Sequence, residues 1–206
     1  MTKNKIINII IDNIKTLIVA LVIAVLIRSL IIQPFYIPSS SMEPTLLVGD
    51  RLFVSKYAYG YSKHSFPFSP PIFNKRLFAN SPKRGDLVVF KTPSDNRTDY
   101  IKRLIGLPGD SIQFLNGDIF INKKKIHRRE IKENTNIRCG NMTLPVKIYE
   151  EFLPNGVSYK AVYNSQGTLQ NSDEYIVPKE HFFFLGDNRD CYKDSRFLSE
   201  VGYVNK

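Results

Sequence analysis

The sequence predicts a mostly β protein, in which a single N-terminal transmembrane helix precedes an all-β domain of antiparallel sheets. An unbroken apolar run, LIVALVIAVLI, occupies residues 17–27. After residue 33 no helical periodicity is present, and short aliphatic and aromatic segments alternate with turns containing Gly, Pro or Asn, which is the pattern of short strands. We therefore expect an anchor segment over residues 1–33 and one domain over residues 34–206.

The apolar run favours an uncleaved membrane anchor. Residues 16–32 reach the lower end of the roughly 17 to 25 residues that span a bilayer, and residues 6–11 can extend the helix. A cleaved signal peptide needs a small-x-small site after the run, and RSLIIQPFYIP contains none. A buried soluble helix that is apolar on all faces would need a larger core than this chain readily supplies. Arg28 can extend its charge to the membrane interface.

Charge sets the expected orientation and partners. Three lysines and one aspartate precede the run, so the positive-inside tendency places the N-terminus in the cytoplasm and the domain across the membrane, although Arg28 opposes it weakly. The net charge of +10 is scattered apart from residues 123–125 and 127–129, which predict a solvated hairpin tip and its flank. An anionic phospholipid surface is the expected partner of this charge, and nucleic acid is not expected.

Turn-and-strand units follow the anchor in order. They are predicted at residues 46–60, 84–93, 100–126 and 181–196, with a tight hairpin at Asn116-Gly117. Residues 61–83 are rich in Pro, Ser and aromatics, which fits either a loop with its own small cluster or a surface that touches lipid or an extended substrate. Residues 127–175 are polar and predict little. Cys139 and Cys191 form no metal motif, and a disulfide between them stays open.

The stretch IPSSSMEPT, residues 37–45, offers three candidate nucleophiles, Ser39, Ser40 and Ser41. A serine hydroxyl needs a base, and none of the three histidines of the chain lies in a motif-like setting. Lys102 stands in the apolar segment DYIKRLIGLPGD, where burial would disfavour its ammonium form. Lowering its pKa by about three units costs roughly 4 kcal/mol, which a folded domain can carry at one site. The alternative is a lysine that snorkels on the solvent face of its strand.

Four segments together resemble the type I signal peptidases, which are membrane-bound serine–lysine proteases. These segments are IPSSSMEPTLLVGD, RGDLVVFK, DYIKRLIGLPGD and FFFLGDNRDCYKDSR. The resemblance implies Ser41 as the nucleophile and Lys102 as the general base. It implies the Ser41 N–H and the Ser39 hydroxyl as the oxyanion hole. It also implies that Arg103, Asp187, Asp194 and Arg196 hold the base strand against the nucleophile loop.

The chain departs from the family pattern in two places. Cys191-Tyr192 stands where many members have Asn-Ser, and that serine hydrogen-bonds the lysine amine. Either the Tyr192 hydroxyl substitutes for it, or Lys102 is less well oriented. The chain also stops at EVGYVNK, where relatives generally continue through another strand, which is expected to cost stability or activity.

The resemblance implies an endopeptidase of the bacterial cytoplasmic membrane, single-pass, with its catalytic domain on the periplasmic side. Its substrates would be preproteins cut after small residues at the −3 and −1 positions, and no cofactor or metal is implied. One alternative is a catalytically impaired homologue that binds preproteins without cleaving them. A self-cleaving repressor-type Ser–Lys protease is disfavoured by the membrane run and by the absence of a DNA-binding helical segment in the sequence. A basic envelope protein without a peptide-binding role is a further alternative.

Overall fold

A computed structural model describes residues 3–62, 65–66, 76–165 and 170–206. The chain forms two compact units. The first comprises Met1–Phe35 and Arg51–Ser81, and the second comprises Tyr36–Asp50 and Pro82–Lys206. The predicted boundary between residues 33 and 34 stays a prediction.

The first unit begins with helix α1, Lys3–Leu30. Its segment Lys5–Leu30 is long and apolar enough to cross a membrane, and its side chains up to Arg28 are exposed, with Leu17 70% accessible. At 1.5 Å per residue the 28 residues extend about 42 Å, more than the roughly 30 Å of a hydrocarbon core. Residues 6–11 therefore do lengthen the helix beyond the apolar run. The predicted single N-terminal apolar helix is confirmed.

Strands β1, Ile32–Tyr36, and β2, Arg51–Ser55, form a two-stranded sheet after the helix. Large apolar side chains of this unit are exposed, including Phe53 at 71% and Phe78 at 85%. Residues 63–64 and 67–75 of the predicted irregular segment lie outside the described residues, and a lipid or substrate role for residues 61–83 stays a prediction.

The second unit contains three sheets whose strand pairings are antiparallel, as predicted. The first has the order β13-β12-β4-β3, with β3 Leu87–Lys91, β4 Asp99–Gly106, β12 His181–Leu185 and β13 Val204–Asn205. The second has the order β11-β5-β6-β7, with β5 Ser111–Leu115, β6 Asp118–Ile121, β7 Lys124–Lys125 and β11 Tyr175–Ile176. The third has the order β10-β9-β8, with β8 His127–Cys139, β9 Met142–Phe152 and β10 Ser158–Asn164.

Strand β12 is buried on both faces, which explains its apolar sequence HFFFL. Phe183 and Leu185 enter one hydrophobic cluster, together with Ile105 of β4. Phe182 and Phe184 enter a second cluster on the opposite face, with Leu104. Alternating side chains of a strand point to opposite faces, so β12 and β4 lie between two apolar layers. This packing fixes the ends of both strands, where the candidate site lies.

Candidate active site

Two of the three serines, Ser40 and Ser41, lie in a short 3₁₀ turn at Ser40–Met42, and Ser39 precedes it. Ser39 is extended, with φ −134° and ψ 154°, and the turn places Ser40 and Ser41 in the interior at 2% and 4% exposure. Met42 is fully buried beneath them. The Ser39 hydroxyl donates to Ser41 Oγ over a long 3.4 Å. The buried side chain of Met42 thus holds Ser41 in the protein interior, with Ser39 beside it.

Lys102 lies within β4 and is only 3% exposed. It is therefore buried and does not snorkel on a solvent face. Burial lowers the pKa of Lys102 to about 8, although the nearby carboxylates of Asp194 and Asp187 oppose this shift. Its Nζ stands 5.5 Å from the ring centroid of Tyr100. A buried amine that is partly neutral near pH 7 has the properties of a general base.

Gly186, which follows β12, lies close to both Ser41 and Lys102. A Cβ at Gly186 would lie 2.7 Å from the Ser41 carbonyl oxygen and 3.6 Å from Lys102 Nζ. Asn188 then binds the Ser40–Met42 turn, which we call the serine turn, through two hydrogen bonds. Its backbone N–H donates to the Ser41 carbonyl and its Nδ2 to the Ser40 carbonyl, both at 3.1 Å. We call residues 186–196 the site loop, because this segment contacts both the serine turn and the lysine.

Arg103 and Asp187 form a buried, two-pronged ion pair. Arg103 Nε and Nη2 donate to the two Asp187 oxygens at 2.8 and 2.7 Å. Asp187 also accepts from the Thr45 hydroxyl at 2.5 Å, and Arg103 Nη1 donates to the Gly85 carbonyl at 2.8 Å. The pair therefore joins strand β4, the segment after the serine turn and the site loop.

Asp194 and Arg196 form a second buried pair inside the site loop. Arg196 Nε and Nη2 donate to the Asp194 oxygens at 2.8 and 3.0 Å. Asp194 Oδ2 accepts the backbone N–H of Gly186 at 3.1 Å. This pair thus fixes Gly186, the glycine that lies close to both Ser41 and Lys102. The four charged residues predicted as support all lie in ion pairs around these two candidates.

Comparison with known proteins is decisive for the family. Residues 10–206 match the family described as signal peptidase, peptidase S26. The chain belongs to this family. The signal peptidase I of Rickettsia akari (strain Hartford) is 46% identical over 193 residues, which cover 88% of this chain and 70% of the relative. The signal peptidase I of Rickettsia bellii (strain OSU 85-389) is 41% identical over 201 residues, which cover 92% of this chain and 67% of the relative. A crystal structure of a signal peptidase I from Enterococcus faecalis V583 shares 25% identity, with a TM-score of 0.34, and the match covers 61% of this chain and 91% of that chain.

In this signal peptidase family member, a third buried ion pair escaped sequence reasoning. Arg189 and Glu151 are both inaccessible to solvent, and Arg189 Nη1 and Nη2 donate to the Glu151 oxygens at 3.0 and 2.7 Å. The hydroxyls of Tyr159 and Tyr163 donate to the same carboxylate. Arg189 Nε donates to the Gly186 carbonyl at 2.9 Å. Sheet β10-β9-β8 lies within residues 127–175, whose polar sequence predicts little. Through Glu151 and Arg189, this sheet supports Gly186 as well.

Tyr192 does not lie where a serine of the family pattern would hold the lysine. Its side chain is 46% exposed, and its hydroxyl lies 3.6 Å from the position of a Cβ at Gly140 in the β8–β9 turn. Among the described residues no hydrogen bond joins Tyr192 to Lys102. The preceding Cys191 forms a disulfide with Cys139, a pairing that the sequence left open.

Proposed function

We propose that this protein is a membrane-anchored signal peptidase that removes N-terminal signal peptides from exported preproteins. The observation that carries the proposal is a buried lysine of lowered pKa whose Nζ and the Ser41 carbonyl oxygen both lie within 4 Å of the position that a Cβ on Gly186 would occupy. Family membership and the names of the rickettsial relatives support the same activity.

Ser41 is the proposed nucleophile and Lys102 its base. Ser41 Oγ attacks the scissile carbonyl carbon while its proton passes to the neutral amine of Lys102, which then protonates the leaving amine. A water molecule, deprotonated by the same amine, then hydrolyses the ester and releases Ser41. With a pKa of about 8, roughly a tenth of Lys102 is neutral at pH 7, on the order of 300-fold more than for an exposed lysine.

The Ser41 N–H and the Ser39 hydroxyl are the proposed donors to the oxyanion. Ser39 already stands beside Ser41 Oγ, so a small rotation of its hydroxyl would direct the proton to an oxygen that develops negative charge there. Such preorganised donors contribute about 2.7–4 kcal/mol each in enzymes of this type. Arg103, Asp187, Asp194 and Arg196 act as positioning residues in this proposal.

We propose that the substrate is an extended segment with small residues at the −3 and −1 positions, bound by strand pairing. Residues 34–206 would lie on the outer, periplasmic side of a bacterial cytoplasmic membrane, with the N-terminus of the anchor in the cytoplasm. The Cys139–Cys191 disulfide supports this side, because disulfides persist in oxidising compartments. The positive net charge supports contact with anionic phospholipid.

One observation favours a second candidate, a homologue that binds preproteins but cleaves them poorly. Tyr192 contacts the β8–β9 turn and offers no hydroxyl to Lys102. The test is cleavage of a preprotein with alanines at −3 and −1 by the detergent-solubilised protein. We expect wild type to cut and Ser41→Ala and Lys102→Met to lose more than about 10³-fold in rate. Retained cleavage in either variant contradicts the dyad, and binding by inactive wild type supports the second candidate.

A further inference from the structure

Cys191 and Tyr192, the two residues that depart from the family pattern, both lie at the end of the β8–β9 hairpin that contains its turn. Cys191 is bonded to Cys139, the last residue of β8. The Tyr192 hydroxyl lies 3.6 Å from the position that a Cβ would occupy on Gly140, the first residue of the turn after β8. The family resemblance implies that the residue at position 192 orients Lys102. Here the Tyr192 side chain instead lies near the turn of the β8–β9 hairpin.

The disulfide also touches the serine turn. Cys191 is 1% exposed, and its Sγ lies 3.4 Å from the hydroxyl of Ser40, the neighbour of Ser41. Its backbone N–H donates to the carbonyl of Asn188 at 3.3 Å. Asn188 in turn holds the carbonyls of Ser40 and Ser41. A displacement of Cys191 would therefore reach Ser41 by two routes. One is the contact of its Sγ with the Ser40 hydroxyl, and the other is its hydrogen bond to Asn188.

The backbone next to the disulfide is held in an unfavourable conformation. Tyr192 has φ +73°, in the left-handed region that residues with a bulky side chain avoid. Such a conformation persists only where the surroundings determine it. Two features constrain the backbone at Tyr192. They are the disulfide of the preceding Cys191 and the position of the Tyr192 hydroxyl near Gly140.

We propose that the β8–β9 turn, bonded through Cys139–Cys191 and contacted by Tyr192, positions the serine turn, so that peptidase activity depends on the oxidised state of this cysteine pair. The proposal rests on the proposed function, since it assumes that Ser41 is the nucleophile. Cys191 and Tyr192 are positioning residues and do not touch the reacting atoms.

A dithiol is the chemical class of reductant that would reverse this positioning. Its two thiols give up two electrons and two protons as they form a cyclic disulfide, the Cys139–Cys191 bond breaks, and both cysteines become thiols. Three buried ion pairs would still support the site loop, so the fold should persist. We expect kcat to fall between about 10- and 100-fold, as for small displacements of reacting groups, with KM changing less than about threefold.

The experiment compares full-length, detergent-solubilised wild type, oxidised and reduced with dithiothreitol, with three variants. Cys139→Ser/Cys191→Ser removes the bond, and Cys139→Ser/Cys191→Asn/Tyr192→Ser restores the family-like pair. Ile121→Ala, in the hydrophobic cluster of β6, is the control for lost stability. Thiol alkylation with mass measurement verifies the redox state of each sample.

The proposal expects a low kcat in reduced wild type and in the double variant, recovery in the triple variant, and no response of the double or triple variant to dithiothreitol. Ile121→Ala should lower Tm but keep kcat at a temperature where it is folded. An unchanged kcat in the double variant, with Ser41→Ala inactive, overturns the proposal and leaves the proposed function intact.

If wild type cleaves nothing, the proposed function fails and hydrogen exchange decides the inference separately. The Asn188 amide, which donates to the Ser41 carbonyl, should exchange faster in the double variant than in wild type and Ile121→Ala. Equal exchange in all three proteins overturns the positioning role.

Discussion

The carbonyl oxygen of Ser41 lies only 2.7 Å from the position that a Cβ on Gly186 would occupy. Gly186 is held from both sides: its N–H donates to Asp194, and its carbonyl accepts from Arg189. Because the obstructing atom belongs to the backbone, no side-chain rotation can relieve the contact. The loop after β12 therefore requires glycine for close packing against the serine turn, Ser40–Met42.

Gly186→Ala should accordingly displace the serine turn from Lys102. We expect a loss of about 100-fold in kcat, the size associated with a displacement of about 1 Å. Gly156→Ala is the control, because a Cβ there meets open space and its φ of +85° adds only local strain. Cleavage rates and circular dichroism spectra of the two variants check the prediction, and equal rates would contradict it.

Lys102→Met should make the protein more stable while it abolishes activity. Burial lowers the pKa of Lys102 from 10.5 to about 8, so the unfolded chain binds this proton more tightly than the folded one. Burying the ammonium therefore lowers the free energy of unfolding by about 3 kcal/mol. This loss is fully present below pH 8 and disappears as pH rises from 8 to 10.5. Denaturant unfolding of both proteins at pH 7 and pH 10.5 measures it. A destabilised variant at pH 7 would show that the ammonium contributes favourably.

Glu151→Gln should destabilise the second unit far more than the same change at its neighbour Glu150. Glu151 is fully buried, and its loss leaves Arg189 as an uncompensated charge, which costs about 3–5 kcal/mol. Glu150 pairs with the exposed Arg129, and such surface pairs contribute about 0–1 kcal/mol. Urea unfolding of the two variants makes the comparison, and equal midpoints would contradict the buried pair.

Ser39→Ala and Ser40→Ala should separate the roles of the two remaining serines. Loss of a donor to the oxyanion typically lowers kcat by about 10²–10³-fold, with little change in KM. Ser40 contacts Cys191 through its hydroxyl, and its replacement should lower kcat by less than about tenfold. Steady-state cleavage kinetics test both. A larger loss in Ser40→Ala would reverse the assignment.

Much of this architecture is readable from the sequence. The helix, the strand HFFFL and the hairpin at Asn116-Gly117 follow from local pattern, and the hairpin is confirmed by the pairing of Leu115 with Asp118. The apolar neighbours of Lys102 in β4 make its burial one of two alternatives, and the structure shows that the side chain is buried and does not snorkel. The family motifs brought Ser39, Ser41, Arg103, Asp187, Asp194 and Arg196 together as candidates, although their chemical roles stay predictions.

The rest depends on long-range contacts that no local pattern reveals. Glu151 is a charged residue in strand β9, and its burial depends on Arg189, 38 residues away, and on the hydroxyls of Tyr159 and Tyr163. The cysteines are 52 residues apart, a spacing that says nothing about whether two strands bring them together. The position of Tyr192 follows from that bond and from the Gly140 turn, so its sequence neighbours could not predict it.

The most direct test of the account is the ionisation of Lys102 itself. Lysines labelled with ¹³C at Cε can be titrated by NMR in the detergent-solubilised protein, with Lys102→Met identifying the resonance. We expect a pKa of about 8 for Lys102, matched by the acidic limb of the pH dependence of kcat/KM. A pKa near the ordinary value of about 10.4, or a pH–rate profile without that limb, would contradict Lys102 as the neutral base of Ser41.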